Sequence, residues 1–220
     1  MLLNKPVGYL SSRRSQGGKP TVYDLLPTKY QNLKTAGRLD VDSSGLMLLS
    51  SDGDLIQRLT HPKFQKTKVY EIVLDRSLQP LHQQMISDFG IDLPDGKSKL
   101  LLEKIEKSPN IFSTLSPALR TNGADRTTGS PPESGLPDPG MGMSPGSDRL
   151  GHTAKVEKIF GDFSDQHWRV TMHEGRNRQI RRTFAALGYN IKQLHRTQLG
   201  PYRLGDLKTG KFREITVKLK

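Results

Sequence analysis

A segment rich in proline and glycine divides the chain and constrains its fold more than any other feature. From Ser108 to His152 it holds half of the fourteen prolines and seven glycines. Its apolar residues follow neither the two-residue period of a strand nor the helical period of about 3.6 residues. Such a composition buries too little apolar surface to offset the loss of chain entropy. We therefore interpret 108–152 as a flexible insertion, and expect 1–220 to form one domain of two lobes from the blocks 1–107 and 153–220.

The charge balance indicates a polyanionic partner. The chain has 34 Lys and Arg against 22 Asp and Glu, which gives a formal net charge of +12. Clustered Lys and Arg neutralise phosphates, so nucleic acid is the expected partner. The alternative is a soluble basic protein without such a partner, and the clustering of charge near the C-terminus disfavours it.

Cysteine usage and hydropathy exclude several classes of protein. The chain has no cysteine, which excludes disulfides, Cys-ligated zinc, iron–sulfur clusters and thiol catalysis. No apolar run approaches the length of a membrane span, and the first ten residues lack the apolar region of a signal peptide. We expect a cytoplasmic protein that does not associate with membranes and, because folded-looking sequence begins at once, no N-terminal accessory domain.

The first block alternates short strands and helices. The apolar run Leu46–Leu49 is typical of a buried strand. A polar turn then precedes a short helix that carries Leu55 and Leu59 on one face. Residues 68–74 are rich in β-branched and aromatic side chains, which predicts a strand, and 80–90 has a helical pattern.

The second block adds a strand, a helix and a last strand. Residues 167–175 are predicted to form a strand that runs into a turn, and 176–190 has apolar residues at helical spacing with Gly188 as its C-cap. Residues 212–219 close the chain as a predicted strand. Strands outnumber helices and do not alternate regularly with them, which predicts an α+β fold with a mixed, largely antiparallel sheet.

The predicted helix of the second block begins with a cluster of arginines. Its members are Arg176, Arg178, Arg181 and Arg182. Positive charge at a helix N-terminus is unfavourable with respect to the helix dipole, so another interaction is expected to offset it. Contact with phosphate is one, and pairing with a buried carboxylate is another. A solvated face is a third, and it fits Arg178 and Arg182 better than Arg181, which follows the apolar Ile180.

Asp40 lies in the stretch GRLDVDSSG, two residues after Arg38. A calcium loop of the EF-hand type also begins Asp-x-Asp-x-Ser-Gly, but its twelfth position is Ser51, where a bidentate Glu is needed. A phosphatase-type Asp-x-Asp nucleophile with magnesium is disfavoured because no hydrophobic strand leads into Asp40. Two interpretations stay open, a catalytic carboxylate beside cationic groups and a turn-forming aspartate that caps its neighbours.

Four stretches between positions 2 and 189 resemble the signatures of one enzyme family. GRLDVDSSGLMLL resembles the Gly-Arg-Leu-Asp signature of pseudouridine synthases, and HEGRNRQIRRTFAALGY is similar to the second signature of their RsuA-type branch. LLNKPVGYL resembles the opening of the catalytic domain, and KTKVYEI resembles its Lys-x-Tyr strand. The arginine-rich signature is most similar to that of the E-type enzymes, which act on large-subunit ribosomal RNA. Many relatives have an aromatic residue and a histidine in place of Asn177 and Arg178, and many carry an N-terminal S4 domain, for which this chain leaves no room.

The resemblance implies the isomerisation of uridine to pseudouridine in RNA, in a cleft between two lobes, without a cofactor or a metal. Asp40 is implied as the catalytic carboxylate, which either attacks the sugar carbon or removes a sugar proton. Arg181 is implied as the partner of Asp40 in a half-buried ion pair. Tyr70 is implied as a stacking platform and a group for proton transfer, whereas the residues alone favour a tyrosine packed in the core under the sheet. The target base must leave its stack to reach such a site.

The resemblance also implies RNA contacts outside the catalytic residues. Arg38 is expected to hold open the RNA stack or to bind a phosphate, and Lys5 to contact phosphate or to be solvated. Arg176, Arg178 and Arg182 are expected to contact RNA. We expect a monomer that acts on ribosomal RNA. The alternative is a non-catalytic factor on the same fold that binds ribosomal RNA or assists ribosome assembly.

Overall fold

A nine-stranded sheet is the framework of the computed structural model, which describes residues 1–105 and 166–216. The strands are β1 (Leu2–Lys5), β2 (Lys34–Thr35), β3 (Ser44–Ser50), β4 (Lys68–Leu74), β5 (Ile91–Leu93), β6 (Gly96–Ser98), β7 (Leu101–Lys104), β8 (His167–Met172), β9 (Ile191–Leu199), β10 (Tyr202–Arg203) and β11 (Phe212–Arg213). The order in the sheet is β11-β1-β3-β9-β4-β8-β7, with β10 paired to β9 and β2 to β3, while β5 and β6 form a separate hairpin. Among the described strands, only β3 and β9 pair in parallel. This confirms the predicted α+β fold with a mixed, largely antiparallel sheet.

The central strand β3 is buried on both of its faces. Met47 and Leu49 belong to one apolar cluster, which also contains the strand residues of β4 and β8 and helix residues of the second block. Leu46 and Leu48 belong to a second cluster on the opposite face. A strand that is covered on both sides needs a continuous apolar run rather than an alternating one. This explains why four consecutive apolar residues correctly predicted a buried strand.

Helix α1 (Gly53–Thr60) follows β3 and covers the second cluster. The Asp52 carboxylate caps it by accepting hydrogen bonds from the backbone N–H groups of Asp54 and Leu55, at 2.9 and 3.0 Å. Leu55 and Leu59 are buried, as their spacing predicted. Helix α2 (Pro80–Gln84) continues as a wider π turn, Met85–Phe89, and ends at Gly90. No helix within the described ranges has both the length and the hydropathy needed to cross a membrane.

Helix α3 (Gln179–Ala185) begins later than the sequence pattern predicted. Arg178 is its N-cap residue and has a φ of 47°, in the left-handed region that non-glycine residues rarely adopt. Arg176 and Arg178 therefore precede the helix instead of forming its first turn. The last strand is also shorter than predicted, since within the described part of the chain only Phe212–Arg213 is paired.

Two predictions lie outside the described residues or are not tested by them. The insertion 108–152 belongs to the part of the chain that the structure does not describe, so its flexibility stays a prediction. The division of the domain into two lobes also stays a prediction.

Candidate active site around Asp40

A cavity of about 260 Å³ lies where the start of β4 meets the ends of β8 and β9. Its lining contains all three residues predicted as catalytic, Asp40, Tyr70 and Arg181. Arg38 also lines it and is exposed. Asp40 and Arg181 are 141 positions apart in the sequence. The fold thus brings together the groups that the motifs singled out.

Lys5 is the buried support of the loop that carries Asp40. Its ammonium group donates hydrogen bonds to the carbonyl oxygens of Pro6 and Asp40, each at 3.0 Å, and to that of Ser43 at 2.6 Å. The residue is fully buried, and burial lowers the pKa of Lys5 to about 8 in spite of the opposing charges of Asp42 and Asp40. The prediction that Lys5 contacts phosphate or is solvated is therefore wrong, because its charge is used inside the protein.

The Asp40 side chain points toward a cation and remains partly accessible. Its carboxylate is 34% exposed, and Oδ2 lies 3.5 Å from Nη1 of Arg178. The Asp40 carbonyl also accepts a hydrogen bond from the backbone N–H of Ser43 at 3.1 Å, which closes a turn. Asp40 is therefore both a turn-forming residue and a carboxylate that faces the cavity, so its two open interpretations are compatible.

Asp42 joins the two arginines nearest to Asp40, and the sequence analysis did not identify it. Arg178 donates to it through Nη1 at 3.2 Å and Nη2 at 2.9 Å, and Nε of Arg181 lies 3.3 Å from the same carboxylate. Burial raises the pKa of Asp42, but the hydrogen bond from Arg178 and the charges of both arginines outweigh it and leave the pKa below its usual value. The signal in the sequence was the Asp-x-Asp spacing, which we had considered only for metal binding.

The ion-pair partners differ from those that the resemblance implied. Arg181 was expected to pair with Asp40, but among the described carboxylates only that of Asp42 lies within 4 Å of it. Two further hydrogen bonds of Arg181 go to the carbonyls of Ile191 at 2.8 Å and Asp42 at 2.9 Å. Its side chain is 13% exposed, so the expected half-buried environment is present with a different carboxylate. Arg178 is held by Asp42, and its predicted contact with RNA stays a prediction.

Arg176 and Arg182 hold the β5–β6 hairpin against the start of α3. Arg176 donates to the carbonyl oxygens of Asp95, Gly96 and Lys97 at 2.7 to 2.8 Å. Arg182 forms a bidentate pair with the Asp95 carboxylate, at 3.0 and 2.6 Å. These guanidinium groups already have partners within the protein, so the predicted RNA contacts of both arginines are not supported, and pairing with protein groups explains their positions.

Arg196 lies beside Tyr70 and was also missed by the sequence analysis. Tyr70 on β4 pairs with Arg196 on β9, and the two are 8% and 3% exposed. The Arg196 Nε donates to the carbonyl of Leu46 at 2.8 Å, while its buried Nη2 has no hydrogen-bond partner in the described structure. Gly45 permits this arrangement, because a Cβ there would lie 2.3 Å from the Arg196 carbonyl oxygen. Six of the nine residues of β9, IKQLHRTQL, are polar, so no local pattern distinguishes this arginine.

Comparisons with known proteins agree with the motif resemblance. A family model described as RNA pseudouridylate synthase matches residues 1–186. An uncharacterized RNA pseudouridine synthase of Aquifex aeolicus (strain VF5) is 30% identical over 220 residues, which cover 98% of this chain and 67% of that protein. Ribosomal large subunit pseudouridine synthase E of Vibrio parahaemolyticus serotype O3:K6 is 30% identical over 216 residues, covering 98% and 73%. A crystal structure of a pseudouridylate synthase matches with a TM-score of 0.65 at 26% identity, covering 98% of this chain and 69% of that one.

Proposed function

Because the chain belongs to the family of RNA pseudouridylate synthases, we propose that it isomerises a uridine to pseudouridine in large-subunit ribosomal RNA, with Asp40 as the catalytic carboxylate. The observation that carries this proposal is the Asp40 carboxylate in a cavity that also holds the Tyr70 ring, with a guanidinium nitrogen 3.5 Å from Oδ2. The name of the relative from Vibrio parahaemolyticus supports the choice of RNA. The reaction breaks a glycosidic bond and forms a carbon–carbon bond to the same sugar, so it is redox-neutral and we expect no cofactor.

Asp40 acts on the sugar of the uridine that enters the cavity. Its carboxylate either attacks the anomeric carbon or removes a proton from the neighbouring sugar carbon, and both steps require the ionised form. The Arg178 guanidinium lies 3.5 Å from Oδ2 and faces the negative charge of that form. The three hydrogen bonds from Lys5 hold the backbone of the loop, so the carboxylate keeps its position while the base turns.

Tyr70 receives the base once it has left the RNA stack. Its ring lines the cavity, and stacking on an aromatic ring contributes roughly 1–3 kcal/mol per base. When the base is rejoined through its carbon-5, that carbon must lose a proton. We assign the relay of this proton to the Tyr70 hydroxyl, whose oxygen accepts it while the hydroxyl's own proton passes to solvent.

Arg181 is a positioning residue in this proposal, and Arg38 contacts RNA. Arg181 reaches Asp40 through Asp42, whose carboxylate and carbonyl it contacts at 3.3 and 2.9 Å. Arg38 is exposed at the edge of the cavity, where it holds open the RNA stack or binds a phosphate. We further propose that the enzyme is a cytoplasmic monomer. Light scattering at working concentration tests the oligomeric state.

Release of tritium from RNA labelled at carbon-5 of uracil tests the reaction. The substrate is total ribosomal RNA from cells that lack the gene, and wild type is compared with Asp40→Asn. We expect release by the wild type alone, with RNA affinity of the variant within a few-fold of wild type. Release by Asp40→Asn would refute the assignment of the carboxylate. Tight RNA binding without release by either protein would instead support the non-catalytic assembly factor.

A further inference from the structure

We propose that Lys68 and Arg196 form an anion subsite in the cavity, which binds a backbone phosphate of the RNA next to the uridine at Asp40. The proposal rests on the proposed function and deepens it. It assigns this phosphate contact to two strand residues, and not to the arginines at the start of α3. Lys68 belongs to the Lys-x-Tyr stretch of the resemblance, whereas Arg196 lies outside all four stretches.

Arg196, which lines the cavity, has a terminal nitrogen without a hydrogen-bond partner among the described residues. Arg196 is among the residues that line the cavity and is 3% exposed, so a ligand that binds it has to enter through the cavity. One of its nitrogens is bound to the Leu46 carbonyl, and the terminal Nη2 lacks a partner in the described part of the chain. A buried N–H donor without a partner is energetically unfavourable, because it has lost its hydrogen bonds to water. An anion in the cavity would supply the missing acceptor.

Lys68 is the second cation of the subsite. It lies two residues before Tyr70 on β4, on the same side of the strand, and lines the same cavity. Its ammonium group makes two long contacts, with the carbonyls of Lys66 at 3.4 Å and Glu174 at 3.3 Å. Both contacts are too long to satisfy an ammonium group well, so it can turn toward an anion.

Lys68 and Arg196 differ from the arginines around Asp40 in whether a carboxylate lies beside them. Arg178 and Arg181 contact the Asp42 carboxylate, whereas no carboxylate of the described residues lies within 4 Å of Lys68 or Arg196. Burial lowers the pKa of Lys68, and the charge of Arg196 lowers it further against a smaller opposing effect of Glu174. Two like charges therefore lie close together in a partly desolvated cavity, which is the arrangement that a bound anion stabilises.

Phosphate of RNA is the anion that fits this position. Lys68 and Arg196 line the same cavity as Asp40, the exposed Arg38 and the half-buried Lys66, and RNA has to enter this cavity to reach Asp40. A nucleotide that enters base-first carries its own phosphates along this path. Guanidinium and ammonium groups are the usual protein ligands of phosphate oxygens.

The salt dependence of RNA binding tests the subsite. Affinity for a short single-stranded oligouridylate is measured over a range of salt concentrations in an Asp40→Asn background, where no turnover occurs. Each phosphate contact on a single strand contributes about 0.7 to the slope of log affinity against log salt. Lys68→Met keeps the aliphatic stem and should reduce the slope by about 0.7. Arg196→Gln should do the same, and the double variant should lose little more, because both cations bind one phosphate.

Arg169→Gln is the matched control, because it removes an exposed arginine that is paired with Glu103 at 3.2 Å outside the cavity. Its slope should equal that of the parent protein. If Arg196→Gln does not fold, the test uses Lys68→Met together with Arg196→Lys, which keeps the positive charge. An unchanged slope in folded Lys68→Met would overturn the subsite, even if wild type releases tritium. A reduced slope without tritium release by wild type would uphold the RNA contact and refute the proposed function.

Discussion

Arg178 and Asp42 form a bidentate ion pair two residues from Asp40, with nitrogen–oxygen distances of 3.2 and 2.9 Å. Arg181 approaches the same carboxylate through Nε at 3.3 Å. Paired hydrogen bonds between planar groups fix orientation as well as distance. Asp42 therefore determines where both arginines stand relative to Asp40.

Replacing Asp42 by Asn should lower kcat by roughly 10- to 100-fold, because small displacements of positioned groups are costly in catalysis. KM for RNA should change little, because the Asp42 carboxylate is negatively charged and does not itself attract RNA. Tritium release at varied RNA concentration separates the two constants. Asp206→Asn, which breaks the exposed pair with Arg213 at 2.7 Å, is the control. A raised KM with unchanged kcat would assign Asp42 to binding instead.

Lys5→Met should reduce turnover more than tenfold while preserving the length of the side chain. The buried Ser43 carbonyl then loses a donor, at roughly 1–3 kcal/mol for a buried group left unpaired, while the Asp40 carbonyl keeps its hydrogen bond from the Ser43 N–H. Tritium release and urea unfolding measure the two effects. Full activity of a folded Lys5→Met protein would show that the loop does not depend on this support.

The pH dependence of stability provides a second readout for Lys5. Its pKa is lowered to about 8 in the folded protein, against 10.5 in the unfolded chain. Between these values the unfolded chain binds more protons, so the contribution of Lys5 to the free energy of unfolding rises with pH. Wild type should therefore gain stability relative to Lys5→Met between pH 8 and pH 10. A difference between the two proteins that does not change with pH would contradict the buried ammonium group.

Tyr70→Phe should slow the reaction without weakening RNA binding. The ring that stacks on the base is retained, and only the hydroxyl assigned to proton transfer is removed. Single-turnover tritium release is compared with oligouridylate affinity for both proteins. Equal rates for the variant and wild type would reduce Tyr70 to a stacking platform, and equal losses of rate and affinity would indicate a role in binding.

His195 should make the protein sensitive to acid. It is 1% exposed, its Nδ1 lies 2.9 Å from Oγ of Ser44, and burial lowers its pKa from 6.5 to about 4. Below pH 6.5 the unfolded chain takes up a proton that the folded protein does not, so the free energy of unfolding falls as pH decreases from 6.5 to 4. At about 1.4 kcal/mol per pKa unit the loss reaches up to about 3 kcal/mol.

His195→Gln is the comparison, because it retains a polar partner for Ser44 but does not titrate. Urea unfolding at pH 6.5 and pH 4.5 should show a smaller loss for the variant. Parallel losses in both proteins would place the acid sensitivity in other groups.

Local patterns were sufficient for some of the elements, and motif resemblance was sufficient to group three residues that line the cavity. The apolar run of β3 and the Leu55–Leu59 spacing of α1 are local properties, and both predictions are confirmed. Asp40, Tyr70 and Arg181 were grouped by their motifs, and all three line one cavity.

The partners of the charged groups were not predictable from the sequence in the same way. Lys5 lies on β1, which pairs with β3 on one side and with β11 on the other. Both strands are distant from β1 in sequence, so local patterns do not show that Lys5 is buried. Which carboxylate each arginine contacts depends on how the turn before α3 meets the Asp40 loop, and the left-handed backbone of Arg178 redirects that turn. Charge counts described the basic cluster correctly but could not show that protein carboxylates already neutralise most of it.

The parallel pairing of Ser44 with His195 links positions separated by 151 residues, and Asp40 lies just before that junction. Closing a loop of that length carries an entropic cost that local contacts do not, and folding slows as contacts become more distant in sequence. Arg178 and Arg181, the arginines nearest to Asp40, lie just before β9 in the sequence, so the loop gains them only when this late part of the chain has docked. During synthesis, the chain should therefore remain incapable of modifying RNA until nearly all of it has left the ribosome.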